Sequence, residues 1–237
     1  MKKLLVLASA LSVLAIVAGS KPANATALNL FTSGSGWQVA SSTGLTAATA
    51  VANVGAWTAA PATDLTVFPK GYWNNVADSS DSVWISNQPK YYPLTNTDKK
   101  DTFYVFQTTF DIGTGHDPIN LAFTSLSGSW LTDNSGGGVY LNGVEASTYF
   151  NAKPGNGDFS KAMGTYNFDL TGSLQNGVNT LDFVVFNSET NKDNTGNPVG
   201  LRAYVNGDIP AVPEPAFVQL GVLLSSGGLL VLRRRKA

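Results

Sequence analysis

The sequence predicts an all-β domain built from two packed antiparallel sheets, and three observations carry that prediction. Between residues 28 and 209 no long apolar run repeats with the 3.6-residue period of a helix, whereas several short segments alternate apolar and polar residues with period two. Glycine, asparagine, serine and threonine dominate the connections between those segments. Asn142-Gly143, set between Val139-Tyr140-Leu141 and Val144-Glu145-Ala146, is the dipeptide best able to take the positive φ angles of a two-residue type I′ hairpin. Eight or more short strands with Gly-rich connections are best housed in a sandwich, which buries one face of each sheet and protects most edges.

Taken in order, the elements are uneven in clarity. Residues 41–60 are rich in Ala and Thr without clean periodicity, and Trp57, Trp73 and Trp84 are the firm hydrophobic anchors of the first half. Strand boundaries between residues 28 and 100 do not follow from the pattern. The clearest strand is 103–112, where Tyr104, Phe106, Thr108, Phe110 and Ile112 share one face and Gln107, Thr109 and Asp111 the other. Ile119, Leu121 and Phe123 alternate next, and the turn-like Gly113-Thr114-Gly115-His116-Asp117-Pro118 between the two segments predicts a simple meander. Trp130 is expected to end a strand and close the core. After the Asn142-Gly143 hairpin, further strands are predicted at 166–170, 181–186 and 199–205, the second of them preceded by a turn at Gly177 and Asn179.

Both ends of the chain read as targeting segments. Lys2 and Lys3 precede an apolar run over 4–18, and small-x-small sequences follow at Ala23-Asn24-Ala25 and Ala25-Thr26-Ala27, the layout of a cleavable signal peptide over 1–27 with a mature start at Thr26 or Leu28. At the other end Val212-Pro213-Glu214-Pro215 leads into an apolar stretch over 216–232 and then Arg233-Arg234-Arg235-Lys236. Pro213 and Pro215 cannot continue a helix and Glu214 is costly in lipid, so a transmembrane helix starts after Pro215. Its length of roughly 26 Å is slightly short of a hydrocarbon core of roughly 30 Å, and the cations hold its end in the cytoplasm. The chain thus divides into signal peptide (1–27), ectodomain (28–209), Pro-rich linker (210–215), membrane span (216–232) and basic tail (233–237). The order Pro213-Glu214-Pro215, apolar span, Arg cluster resembles the PEP-CTERM sorting signal of Gram-negative bacteria that make exopolysaccharide. That resemblance implies processing by exosortase, a membrane-embedded protease. It makes Pro213, Glu214, Pro215, Arg233, Arg234 and Arg235 sorting determinants, the inner membrane a transient partner, and the cell surface or extracellular matrix the destination.

Composition narrows what the exported part can do. Within 28–209 fifteen carboxylates face eight cations, a net charge of −7, which argues against nucleic acid and anionic lipid as partners and suits neutral glycans or cations. The chain has no cysteine, so an oxidising compartment is met without disulfides and thiol chemistry is excluded. It has one histidine, His116, which rules out histidine-rich metal sites.

Three stretches carry a second resemblance: Trp130-Leu131-Thr132-Asp133-Asn134, Gly138-Val139-Tyr140-Leu141-Asn142-Gly143, and the run from Asn176-Gly177-Val178-Asn179 through Leu181-Asp182-Phe183 to Gly200-Leu201-Arg202. Together they resemble the galactose-binding-like jelly rolls of exported PEP-CTERM proteins and of accessory domains in glycosidases. The resemblance implies a jelly-roll sandwich and an extracellular polysaccharide as ligand. In Asp133-Asn134-Ser135-Gly136-Gly137-Gly138, carboxylate and amide oxygens beside glycines suit a structural Ca²⁺ or sugar hydroxyls, and equally suit a turn in which Asp and Asn cap their own backbone. The loop 187–198, with Glu189 and Asp193, poses the same choice without EF-hand spacing. Trp73, Trp84 and Tyr91, with Tyr92, lie among turn residues and are candidate platforms for a sugar ring. No Gly-x-Ser-x-Gly elbow accompanies His116, and the two glutamates of the domain, Glu145 and Glu189, show no catalytic setting. The expectation is therefore a non-catalytic, cofactor-free, polysaccharide-binding surface protein. A structural or protein-binding matrix component is the alternative, and a glycan-active hydrolase is the second.

Overall fold

A computed structural model describes residues 26–33, 35–63, 73, 82–87, 101–112, 125–146, 148–171, 174–188 and 199–209. These belong to a compact unit bounded by Thr26 and Ile209. Its strands are β1 (Thr26–Phe31), β2 (Trp37–Ser42), β3 (Thr58–Ala59), β4 (Ile85–Ser86), β5 (Thr102–Asp111), β6 (Ser125–Asp133), β7 (Ser135–Leu141), β8 (Val144–Glu145), β9 (Thr148–Phe150), β10 (Asn167–Thr171), β11 (Val178–Asn187) and β12 (Gly200–Ile209). One sheet runs β1-β12-β6-β10-β9, with β4 also on β12, and the other runs β3-β2-β5-β11-β7-β8. The strand pairs in both sheets are antiparallel. The long strands β5, β6, β7, β10, β11 and β12 alternate between the sheets along the chain.

Period-two alternation explains the core. Tyr104, Phe106 and Phe110 of β5, Leu181, Phe183 and Val185 of β11, and Val139 and Leu141 of β7 meet Leu126 and Trp130 of β6, Phe168 of β10 and Leu201, Ala203 and Val205 of β12 between the sheets. Trp130 lies within β6 and packs its ring on Tyr149, Phe168 and Phe183, so the strand runs three residues past the end expected for it. The hairpin forms at Asn142 (φ 52°) and Gly143 (φ 80°), the positive angles a type I′ turn demands. Asn142 also ties this turn to β11, because its Oδ1 accepts from the Thr180 amide at 2.9 Å and its Nδ2 donates to Asn179 Oδ1 at 2.8 Å.

β5 has β2 on one side and β11 on the other, and the next described strand, β6, lies in the other sheet. His116 and residues 119–123 lie outside the described residues. The Ala/Thr-rich stretch contains a short helix, α1 (Ala47–Ala52), which carries no apolar stripe long enough to be seen as periodic. A reciprocal capping box holds its start: the Thr49 amide donates to Thr46 Oγ1 and the Thr46 amide to Thr49 Oγ1, at 3.2 and 3.0 Å. The helix lies on the outside of the second sheet, where Ala50 joins Val105, Tyr140 and Val184. Trp73 and Trp84 cover Leu131 on the outside of the first sheet. The half of the chain with no recognisable pattern therefore supplies much of the cover for both outer faces. No helix among the described residues is long and apolar enough to cross a membrane, and the expected signal peptide and membrane span lie outside them.

Candidate functional site

The Asp133-Asn134 corner is where the chain changes sheets, since Asn134 alone separates β6 from β7. Its peptide bond is cis. Strand alternation puts Trp130 inward and Leu131 and Asp133 outward, yet Asp133 is only 4 % exposed because Trp73 lies over it. Trp73 Nε1 donates to Asp133 Oδ2 at 2.7 Å, and Asn134 Nδ2 donates to Asp133 Oδ1 at 2.8 Å. The Ser188 amide donates to Asn134 Oδ1 at 3.1 Å and Thr132 Oγ1 to the Asn134 carbonyl at 3.2 Å. Burial pushes the Asp133 carboxyl up to about 7, with the Trp73 hydrogen bond pulling the other way.

The glycines beside this corner answer to packing. A Cβ on Gly136 would stand 2.6 Å from Trp130 Cη2, one on Gly138 2.9 Å from Tyr140 Cε2, and one on Gly200, the partner of Asp133 in β12, 2.4 Å from Trp73 Cη2. All three sit in strands and let aromatic rings approach the backbone.

This geometry corrects the expected platforms. Trp73 and Trp84 are 3 % and 1 % exposed, with ring centroids 4.5 Å apart, and they pack on Leu131. Asp133, Asn134 and Trp73 do come together, as partners of one another. Both oxygens of the carboxylate offered as a calcium ligand accept within the protein, one from an indole N–H and one from an amide N–H. Among the described residues no group of three acidic, histidine or cysteine side chains is placed to hold a metal. The described surroundings of Asp133 suit a hydrogen-bonded corner. Tyr91, Pro213, Glu214, Pro215, Arg233, Arg234 and Arg235 lie outside the described residues.

Beside the corner on the same outer face, Arg202 is buried, and its Nε donates to the carbonyl and the hydroxyl of Ser82, both at 3.1 Å. Sequence reasoning missed this arginine and the Trp73 to Asp133 bond, which joins residues 60 positions apart. No local pattern signals either. Comparison with family models, with curated proteins and with solved structures finds no match to this chain.

Proposed function

We propose that this is an exported, exosortase-sorted surface or matrix protein whose non-catalytic domain, a jelly roll, binds extracellular polysaccharide. The targeting pattern of both chain ends supports the export half of the reading. The observation that carries the binding half is where the domain's polar end lies. Thr102 pairs with Asn187, Phe186 with Ser135, and Gly200 with both Asp133 and Ser86, so the residues that bracket 88–100 and 189–198 gather around the Asp133 corner. Thr26 and Ile209, partners in β1 and β12, stand together at the opposite end of β12, roughly 30 Å away along its ten residues. The end around Asp133 is thus the one remote from Thr26 and Ile209, which suits a protein that is tethered by one end and meets glycan with the other.

Replacing Pro213, Glu214 and Pro215 together by Ala should leave an unprocessed, membrane-retained form. Retention of the processed protein on polysaccharide from the producing cells should fall when Tyr91 and Tyr92 are changed to Ala. Normal processing of the triple variant refutes the sorting half; a wild-type protein that ignores every glycan on an array, but captures matrix proteins, moves the reading to the protein-binding alternative.

A further inference from the structure

The outer face of the second sheet is divided. Toward one end α1 covers Val105, Tyr140 and Val184, with Trp57 and Phe103 packed alongside. Toward the other end that cover stops, and Gln38 and Thr109 are exposed while Gln107 and Thr180 are half-buried. Register sets these residues in rows. Gln38 is opposite Gln107, Gln107 opposite Asp182 and Asp182 opposite Tyr140, and in the next row Thr109 is opposite Thr180. Directly opposed residues of antiparallel strands share a face, so Gln38, Gln107, Asp182 and Tyr140 form one line across β2, β5, β11 and β7.

Asp182 gives the line its chemistry. It is 2 % exposed, and its Oδ1 accepts from Gln107 Nε2 at 2.8 Å. Its Oδ2 takes no hydrogen bond within the protein and is not among the fully enclosed polar atoms, so it opens at the bottom of the row. Gln107 Oε1 and the Gln38 carboxamide are likewise uncommitted within the protein. A buried carboxylate with one oxygen held and one open is desolvated and lacks the second donor that would compensate it.

We propose that this row is a contact strip for a neutral oligosaccharide, with Asp182 Oδ2 and Gln107 Oε1 accepting hydrogen bonds from sugar hydroxyls and the Gln38 amide donating to one. The reading rests on the polysaccharide function above and adds a place for the contact, away from the Asp133 corner. Three observations select the occupant. Among the described residues no cation stands in the row, so phosphate, sulfate and uronate have nothing there to pair with. The nearby Lys153 is committed to Glu145 Oε1 at 2.6 Å and to the Gly137 carbonyl at 2.7 Å. The row is polar along its open length, which is poor ground for the apolar centre of a protein interface. Strands step by roughly 4.8 Å, a spacing on the scale of one hexose unit, so a glycan laid across the strands meets a new polar side chain at each unit.

The test uses the full chain in mild detergent, titrated with neutral gluco-, manno- and galacto-oligosaccharides and with an alginate oligomer as the anionic arm. Asp182→Asn keeps the acceptor for Gln107 and turns the open oxygen into a donor; Gln107→Ala removes the second acceptor. Each should weaken neutral-glycan binding at least tenfold while the melting temperature stays within a few degrees of wild type. Binding that is undiminished in both variants overturns the strip and leaves the polysaccharide reading standing. Absence of glycan binding by the wild type overturns both, and preference for alginate overturns the neutral occupant.

Discussion

Asp133 and Asp182 are the same residue in the same kind of place, the outward face of a strand, and they differ in what their oxygens meet. Both are almost wholly buried, and burial pushes both carboxyls up, to about 7 and about 6. Asp133 spends both oxygens on buried donors that belong to the fold, Trp73 Nε1 and Asn134 Nδ2. Asp182 spends one, on the half-buried Gln107, and keeps the other at the surface. Burial and a raised pKa are therefore not enough to mark a binding residue. The free acceptor distinguishes them: Asp133 belongs to the architecture, and Asp182 is the one proposed for recognition.

The comparison predicts unequal costs, the largest at the corner. Asp133→Ala strands two buried donors and loosens the rings stacked above them, and should lower the unfolding free energy by about 3 kcal/mol, whereas Asp182→Ala strands only a half-buried amide that water can reach and should cost about 1 kcal/mol or less. Chemical denaturation of the two variants measures this directly, and equal losses would erase the distinction.

The next effect is a pH dependence. Each folded pKa lies above the ordinary carboxyl value of 3.8, so the folded state holds more protons than the unfolded one between about pH 4 and pH 7. The stability contributed by these carboxyls is complete below about pH 4 and is lost as pH rises through about 6 for Asp182 and about 7 for Asp133. Asp182→Asn keeps the Gln107 bond and cannot ionise; relative to wild type it should flatten the stability profile between pH 4 and 6 and gain about 1 to 2 kcal/mol at pH 8. Parallel profiles for variant and wild type would mean that this carboxyl titrates as though exposed.

A further comparison separates the two donors. Trp73→Phe removes a buried partner from Asp133 and should cost about 2 kcal/mol, while Gln107→Ala removes a solvent-accessible partner from Asp182 and should cost about 0.5 kcal/mol. A reversed order in thermal unfolding would place the buried network on the open face instead of at the corner.

The parts of the fold legible in the sequence are those whose cause lies within a few residues. Alternation in 103–112 and 181–186 is the strand period itself, and it marks out β5 and β11 within three residues at their ends. Asn142-Gly143 specifies its hairpin because only a few residue pairs tolerate positive φ at both positions. Helix α1 escaped because six residues of Ala, Thr and Val have too little length to show a period, and a threonine cap box and the sheet beneath it make the helix. The candidate site was legible only as composition: Asp133, Asn134 and the tryptophans stood out, but exposed rings were expected where covered ones are found.

By itself, then, the sequence determined the two-sheet β architecture, its best-patterned strands and the hairpin turn, all consequences of local backbone preference and period. Tertiary structure alone decided which polar groups were spent. Trp73 finds Asp133 across 60 positions, Gln107 finds Asp182 across 75, and Arg202 finds Ser82 across 120. Whether a buried carboxylate is closed by such partners or left with an open oxygen depends on groups that only the packing of two sheets and their covers brings within hydrogen-bond reach.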